Sequence, residues 1–117
     1  VTLLYGFYSF VNIIDIKNIL KNFKKPSITL CGISVFNSDP NFDVLKFDVL
    51  SDDLGKINNE LKILPNENTF PTYKPHLTVA YIKKGTGDKY KFLTIPKIEL
   101  GSIIYSKPNG DKTKIDL

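Results

Sequence analysis

The stretch that decides the fold is TFPTYKPHLTVAYIKKG, at residues 69–85. Its centre, HLTVAYI at residues 76–82, is rich in β-branched and aromatic residues, and this composition predicts a β-strand. Side chains two residues apart on a strand point the same way, so His76 and Thr78 share one face and the small Ala80 continues it. Such a face suits the wall of a cleft. The opposite face, which we expect to be the core, carries Leu77, Val79 and Tyr81.

Three segments of the chain recur in the same order, which indicates an internal duplication. The matching segments are VTLLY (1–5) with LTVAY (77–81), LCGISVF (30–36) with LGSIIYS (100–106), and KFDV (46–49) with KIDL (114–117). Chance similarity among β-rich segments is the alternative. A genuine duplication predicts two lobes related by a pseudo-twofold axis, in which matching strands face each other across a cleft.

The duplication also predicts a second histidine. His76 precedes Leu77, and the matching position of the first copy lies just before Val1, so we expect a histidine at that position. A strand expected at residues 1–8 would then form the facing wall of the cleft. By alternation, that wall carries Thr2, Leu4 and Gly6. The glycine would let a ligand approach the backbone closely.

Two facing H-x-T strands would supply the groups that phosphodiester chemistry requires without a metal. One group must remove a proton and one must supply a proton, and histidine performs both roles near neutral pH. Threonine hydroxyls donate hydrogen bonds to the charge that develops on phosphate. The candidate catalytic residues are therefore His76, Thr78 and Thr2. Taken alone, the histidine is also consistent with an ordinary polar residue, and the threonines are consistent with simple strand propensity.

The residues that flank the strand are candidate substrate contacts. The candidates are Tyr73, Lys74, Lys83 and Lys84. Their side chains could bind phosphate or stack on a base. A solvated surface is the alternative for each of these side chains. The tyrosines of the two repeated strands, Tyr5 and Tyr81, are instead expected to be core aromatics.

The composition fits one globular domain with an anionic partner. The chain has 117 residues, of which 42% are hydrophobic and 24% charged, and no apolar run is long enough to span a membrane. Residues 76–117 carry 8 Lys against 4 acidic residues, which accounts for the whole net charge of +4. A basic surface favours nucleotides or RNA as partners, although Lys-rich surfaces are also common for solubility. One Cys and one His exclude a zinc site, and no cofactor is expected.

The remaining segments predict an α+β fold. Apolar residues at helical spacing predict helices over residues 12–23 and 52–64, the first capped by Asn12. Strands are expected at residues 27–36 and 43–50. A closing hairpin is expected over residues 98–106 and 112–117, around a Pro-Asn-Gly-Asp turn. Within the strand expected at residues 27–36, Gly32 is a candidate bulge and Cys31 fits a small buried residue.

Residues 69–85 resemble the second motif of the 2H phosphoesterase superfamily, which includes 2′-5′ RNA ligase-like proteins and cyclic phosphodiesterases. The form is similar to the bacteriophage and prophage branch. VTLLYGF at residues 1–7 resembles the first motif without its leading histidine, and FDVLKFDV at residues 42–49 also resembles that branch. The resemblance implies catalytic and phosphate-binding roles for His76 and Thr78, and a phosphate-binding role for Thr2.

The resemblance implies a single bilobed α+β domain over residues 1–117, truncated just after the position of the first histidine. Two antiparallel sheets would face a central cleft, with two helices on the outside. The implied activity is metal-independent phosphodiesterase or ligase chemistry by two histidines, on 2′,3′-cyclic or 2′-5′ linked RNA-like phosphates or on cyclic oligonucleotides. The chain beginning at Val1 should itself be inactive.

The expected partners are RNA ends or cyclic (oligo)nucleotides, with no membrane involved. We expect a cytoplasmic monomer, located in the host cytoplasm if the gene belongs to a phage. Two other functions stay open. One is an inactive module that binds nucleotides or RNA, and the other is an appended domain of a phage protein with a vestigial site.

Overall fold

Two helices and two antiparallel sheets make up the computed structural model, which describes residues 1–70 and 72–117. The elements in chain order are α1 (Ile13–Leu20), β1 (Thr29–Phe36), β2 (Phe42–Leu50), α2 (Asp52–Leu61), β3 (His76–Lys83), a 3₁₀ turn (Gly87–Tyr90), β4 (Ile103–Ser106) and β5 (Lys112–Ile115). The first three strands form one sheet in the order β1-β2-β3, and β4 pairs with β5. The predicted α+β class is confirmed. Pro71, in the stretch quoted first, lies outside the described residues.

The chain divides into two compact units. The first, here called the sheet unit, consists of Val1–Thr2, Ile28–Ser51 and Lys74–Ile98 and contains β1, β2 and β3. The second, called the helical unit, consists of Leu3–Ser27, Asp52–Tyr73 and Glu99–Leu117 and contains both helices with β4 and β5. Within the part of the chain that the structure describes, no helix is long and apolar enough to cross a membrane.

The central strand of the sheet unit, β2, alternates as its sequence predicts. Leu45, Phe47 and Val49 are all buried on one face. The side chains between them belong to the other face, because successive residues of a strand point to opposite sides. Lys46 and Asp48 therefore lie on the face opposite the apolar one.

Two bulges interrupt the pairing of this sheet. In β1, Leu30 pairs with Val49 and Gly32 pairs with Asp48, so Cys31 is the extra residue. The bulge predicted at Gly32 is thus confirmed, but the prediction that Cys31 is buried is wrong. Its side chain is exposed because a bulged residue leaves the ladder, and its thiol lies 3.5 Å from the backbone oxygen of Asp48.

The second bulge lies in β3. Thr78 pairs with Lys46 and Ala80 pairs with Leu45, so Val79 is the extra residue in this strand. The expectation that Val79 and Tyr81 would be buried is wrong, since they are 47% and 68% exposed. A strict alternation from His76 to Tyr81 overlooked the bulge, which shifts the phase of the strand by one residue.

The helical unit is built around an apolar core. Its buried members are Val11, Ile16, Leu20, Ile57, Leu61, Tyr105 and Ile115. α1 begins as predicted, because the side chain of Asn12 accepts a hydrogen bond of 2.9 Å from the backbone N–H of Ile14. The fully buried Asn58 of α2 donates to the backbone oxygen of Leu3 at 2.7 Å, which gives its amide nitrogen a partner inside this unit.

The predicted closing hairpin is confirmed, with shorter strands than expected. β4 and β5 are joined by a turn in which Gly110 has φ 94°, a left-handed conformation that glycine adopts without strain. The turn is closed by a hydrogen bond of 2.8 Å from the N–H of Lys107 to the oxygen of Asp111.

The strand predicted for residues 1–8 is wrong. This segment forms an isolated β-bridge between Phe7 and Asn66 instead of a strand. Gly6 has φ 93°, which breaks the extended run, and a Cβ at this position would lie 2.8 Å from Cγ of Glu67. The absence of a side chain at Gly6 therefore leaves room for the side chain of Glu67. Tyr5, expected in the core, is 66% exposed.

Candidate active site

One face of the three-stranded sheet carries His76 and Thr78, and we call it the motif face. Residues directly opposite each other on neighbouring strands project to the same side, so the pairing defines its rows. The rows contain Gly32 with Asp48 and His76, then Ser34 with Lys46 and Thr78, then Phe36 with Val44 and Tyr81, and finally Phe42 with Lys83. The first two rows are polar, and the last two are mainly aromatic. All of these residues belong to the sheet unit.

The bulge at Val79 determines which side chains follow the histidine on this face. Tyr81 is opposite Val44 and joins the motif face, whereas Ala80 is opposite the buried Leu45 and joins the apolar face. The prediction that Ala80 continues the face of His76 and Thr78 is therefore wrong. The prediction that His76 and Thr78 share one face is confirmed, because both residues precede the bulge.

A hydrogen-bonded triangle lies beside the motif residues. The ammonium of Lys46 donates to Ser34 Oγ at 2.5 Å and to Asp48 Oδ1 at 2.6 Å, and the Ser34 hydroxyl donates to the same carboxylate oxygen at 2.9 Å. The Lys46 side chain is only 11% exposed. These bonds use two of the three N–H donors of the ammonium. The Lys46 Nζ also lies 4.5 Å from the centre of the Phe36 ring, within cation–π range.

The ring of His76 is fixed by two contacts. Its Nδ1 lies 3.1 Å from the backbone oxygen of Lys74, and a carbonyl can only accept a hydrogen bond, so Nδ1 carries the proton in this contact. The second contact is edge-to-face with Phe36, at 5.3 Å between ring centres. In the neutral ring, Nε2 is then the nitrogen able to accept a proton from a ligand.

The charge of Asp48 is stabilised where it faces the histidine. Burial alone would raise the pKa of this carboxyl, but hydrogen bonds from Lys46 and Ser34 and the positive charges of Lys46 and His76 outweigh burial and lower the pKa below its ordinary value. Asp48 therefore stays ionised and balances the cationic groups around it. This half of the face therefore combines an imidazole with an ion pair between Lys46 and Asp48.

The predicted substrate contacts are only partly brought to this face. Lys83 occupies its last row and is exposed. Lys74 contributes its backbone oxygen to His76. Tyr73 belongs to the helical unit, where burial raises its pKa to about 12. Thr2 belongs to the sheet unit but lies in no strand.

Lys84 performs a structural role on the other side of the sheet. Its ammonium lies 3.4 Å from the buried Asp43 and also donates to the backbone oxygen of Asn37. The other carboxylate oxygen of Asp43 accepts from the N–H groups of Gly85 at 3.0 Å and Gly87 at 3.1 Å. Burial alone would raise the pKa of Asp43, but these donors and the Lys84 charge lower it below its ordinary value.

Three polar side chains of the motif face were missed as site residues. They are Ser34, Lys46 and Asp48. Two signals for them were present in the sequence, since the K-h-D pattern (h meaning apolar) is part of the repeat and the alternation of β2 places its Lys and Asp on the non-core face. The register of strand pairing could not be read from the sequence. This register is what brings Ser34, Lys46 and Asp48 beside Thr78 and His76.

Comparison of the chain with protein-family models, with curated proteins and with solved structures gave no match.

Proposed function

We propose that this chain is a 2H-phosphoesterase-type domain whose parent protein is a metal-independent phosphodiesterase. Its substrates would be 2′,3′-cyclic or 2′-5′ linked RNA-like phosphates, or cyclic oligonucleotides. The observation that carries the proposal is the placement of His76 and Thr78 in adjacent rows of one sheet face, with Lys46 paired between Ser34 and Thr78 in the second row. An imidazole, a hydroxyl and a cation thus share a surface about the size of one phosphodiester, given a row spacing of about 7 Å.

The roles of these groups follow from their chemistry. His76 presents Nε2 for proton transfer, because its Nδ1 donates to the carbonyl of Lys74. The hydroxyl of Thr78 and the charge of Lys46 would stabilise the developing negative charge on the phosphate oxygens. The histidine proposed before Val1 would complete the pair. One histidine removes the proton from the attacking water or 2′-hydroxyl, while the other protonates the oxygen that leaves phosphorus.

The duplication inside the chain is supported by the pairing of its strands. The repeat matches residues 30–36 with 100–106 and residues 46–49 with 114–117, so residue 33 corresponds to 103 and residue 47 to 115. In the first copy Ile33 pairs with Phe47, and in the second copy the matching Ile103 pairs with Ile115. The three following pairs correspond in the same way. Chance similarity between β-rich segments does not require this agreement in register, because a slip of one residue would have broken it.

A matching ion pair also supports the duplication. In the first copy the ammonium of Lys46 lies 2.6 Å from Asp48, and in the second copy the ammonium of Lys114 lies 3.9 Å from Asp116. Both pairs join residues two apart: Lys46 and Asp48 lie within β2, and Lys114 lies in β5 with Asp116 just after its end. The K-h-D pattern therefore recurs with its contact, and we infer that the two hairpins descend from one ancestral unit.

Activity assays on three chains test the proposed function. They are the chain with histidine added before Val1, the chain as it stands, and the extended chain with His76→Ala. Substrates are 2′,3′-cyclic mononucleotides, 2′-5′ linked oligonucleotides and cyclic dinucleotides, all with EDTA present. We expect turnover in the extended chain only, because loss of either proton-transfer group lowers the rate by about 10²–10⁴-fold.

Thr78→Val in the extended chain should reduce turnover by about 100-fold, since it removes a donor to the developing charge. Thr29→Val is the matched control, because Thr29 is also an exposed threonine in a strand of the same sheet but lies on β1 opposite Leu50, one row beyond Asp48 and on the other side of β2 from His76. An extended chain that folds and hydrolyses none of the substrates would contradict the proposal. Equal turnover with and without the added histidine would contradict the two-histidine mechanism.

A further inference from the structure

The far end of the motif face exposes aromatic rings to solvent. Phe36 and Tyr81 lie in one row, on either side of Val44. They are 44% and 68% exposed, although each could have packed against an apolar core had it pointed the other way. Tyr81 owes this orientation to the bulge at Val79, which turns it away from the apolar face. Exposed aromatic rings beside a polar site are typical of surfaces that bind planar groups.

Phe36 is supported from within the sheet. The ammonium of Lys46 lies 4.5 Å from its ring centre, and the ring of His76 meets it edge-to-face at 5.3 Å. These contacts fix the ring while nearly half of the residue remains exposed. Its exposed surface is therefore held next to the proton-transfer group, as a fixed stacking platform requires.

Tyr81 forms a second platform in the same row, on the other side of Val44. The ring of Phe42 meets it edge-to-face at 5.1 Å, which leaves most of its surface exposed. Lys83 follows in the next row and adds a positive charge at this end. Across the face, polar and cationic groups surround His76, and the aromatic groups with a further cation lie two and three rows away from it.

We propose that the rings of Phe36 and Tyr81 bind the nucleobases of the substrate by stacking, while its phosphate lies at His76 and Thr78. This inference rests on the proposed function and narrows its substrate class to phosphodiesters that carry a base next to the reacting phosphate. The row of Phe36 and Tyr81 lies next to that of Thr78, about 7 Å along the strands, and this spacing suits a base and its own phosphate. Lys46 and Lys83 complement the negative charge of such a ligand. Stacking tolerates any base, so no preference among the four bases is expected from these two rings.

Binding measurements on the chain as it stands test this inference without requiring turnover. The two ligands are adenosine 5′-monophosphate and ribose 5-phosphate, which differ only in the base. Their affinities are read from the ring resonances of His76, the single histidine of the chain. We expect the ligand with a base to bind about tenfold more tightly or better, and Tyr81→Leu or Phe36→Leu to remove most of that difference.

The controls separate loss of a ring from loss of the fold. Tyr81→Phe keeps a ring and should keep the preference for the base. Phe92→Ala removes an aromatic residue that is 94% exposed outside the motif face, and it should change neither affinity. Circular dichroism and thermal unfolding check that each variant is folded. Equal affinities of the unmodified chain for the two ligands would overturn the base subsite and leave the phosphate site standing. Absence of binding by both ligands would overturn the inference and the proposed phosphate site together.

Discussion

The imidazole of His76 is oriented by its own chain, since the carbonyl that holds Nδ1 belongs to Lys74, only two residues earlier. No side chain from another strand is needed for this contact. The ring nitrogen that remains available is therefore determined by the local backbone at the start of β3. Around this ring, the charge of Asp48 and the ring of Phe36 come from the neighbouring strands. The orientation of the ring is local, and its electrostatic environment depends on the fold.

A nitrogen-15 NMR spectrum should show this orientation directly. In the neutral ring of His76, we expect the proton on Nδ1, because the carbonyl of Lys74 accepts a hydrogen bond from that atom. The chain has one histidine, so the signals need no assignment by mutation. A spectrum in which Nε2 carries the proton would contradict the observed contact. Unfolded chain in denaturant provides the reference without the contact.

The two K-h-D pairs provide a comparison at the scale of the strands. Lys46→Met should lower the free energy of unfolding by about 1–3 kcal/mol, because the nearly buried ammonium holds both Ser34 and Asp48. Lys114→Met is the matched control in the second copy. Its pair is exposed and 3.9 Å apart, so a change within about 0.5 kcal/mol is expected. Denaturant unfolding measures both, and equal effects would show that the triangle around Lys46 adds nothing to stability.

Two glycines in different elements should respond to alanine with opposite signs. A Cβ at Gly87 would lie 2.7 Å and 2.9 Å from the methyl groups of Val35, which a β-branched side chain cannot easily move. Gly87→Ala should therefore destabilise the chain by about 1–3 kcal/mol. Gly55, inside α2, has open space where its Cβ would lie. Gly55→Ala should stabilise the chain by about 0.5–1 kcal/mol, because alanine is the better helix former. Thermal unfolding that moved both variants in the same direction would contradict this description.

At the scale of the whole molecule, stability should fall in acid. The pKa of Asp43 is lower in the folded chain than in the unfolded chain, where it is about 4. The stabilisation is therefore complete above that value and is lost as the pH falls through the lower, folded pKa. Asp48 acts in the same direction. Asp43→Asn should weaken the dependence of unfolding free energy on pH below about 4, measured by denaturant unfolding at several pH values.

Asp116→Asn is the control for this experiment, because the Asp116 side chain is 81% exposed and lies 3.9 Å from Lys114. It should retain the acid dependence of the unmodified chain. An Asp43→Asn variant whose stability still fell as steeply in acid would show that other carboxyls dominate. The neutral-pH stability of the same variant should be lower than that of the unmodified chain, since the N–H groups of Gly85 and Gly87 lose a charged acceptor.

Local patterns in the sequence predicted the α+β class, both helices, the alternation of β2, the closing hairpin and the shared face of His76 and Thr78. They failed where a feature depends on contacts between distant segments. The bulge at Val79 exists through pairing with β2, and the triangle around Lys46 joins two strands. The strand predicted at residues 1–8 failed because Gly6 turns the chain to accommodate Glu67, a residue far away in sequence. The candidate site was therefore predicted at its two motif residues, and its surroundings were not.

The bulge at Val79 also has a consequence for how this sequence can change over generations. Because Val79 is the extra residue of its strand, its deletion would leave Thr78 opposite Lys46 and Ala80 opposite Leu45 in a regular ladder. Deletion of Leu77, in contrast, would move His76 to the apolar face. Selection should therefore tolerate insertions and deletions at Val79 in descendants of this chain and remove those at Leu77. The positions at which related sequences differ in length would then show which part of β3 carries the site.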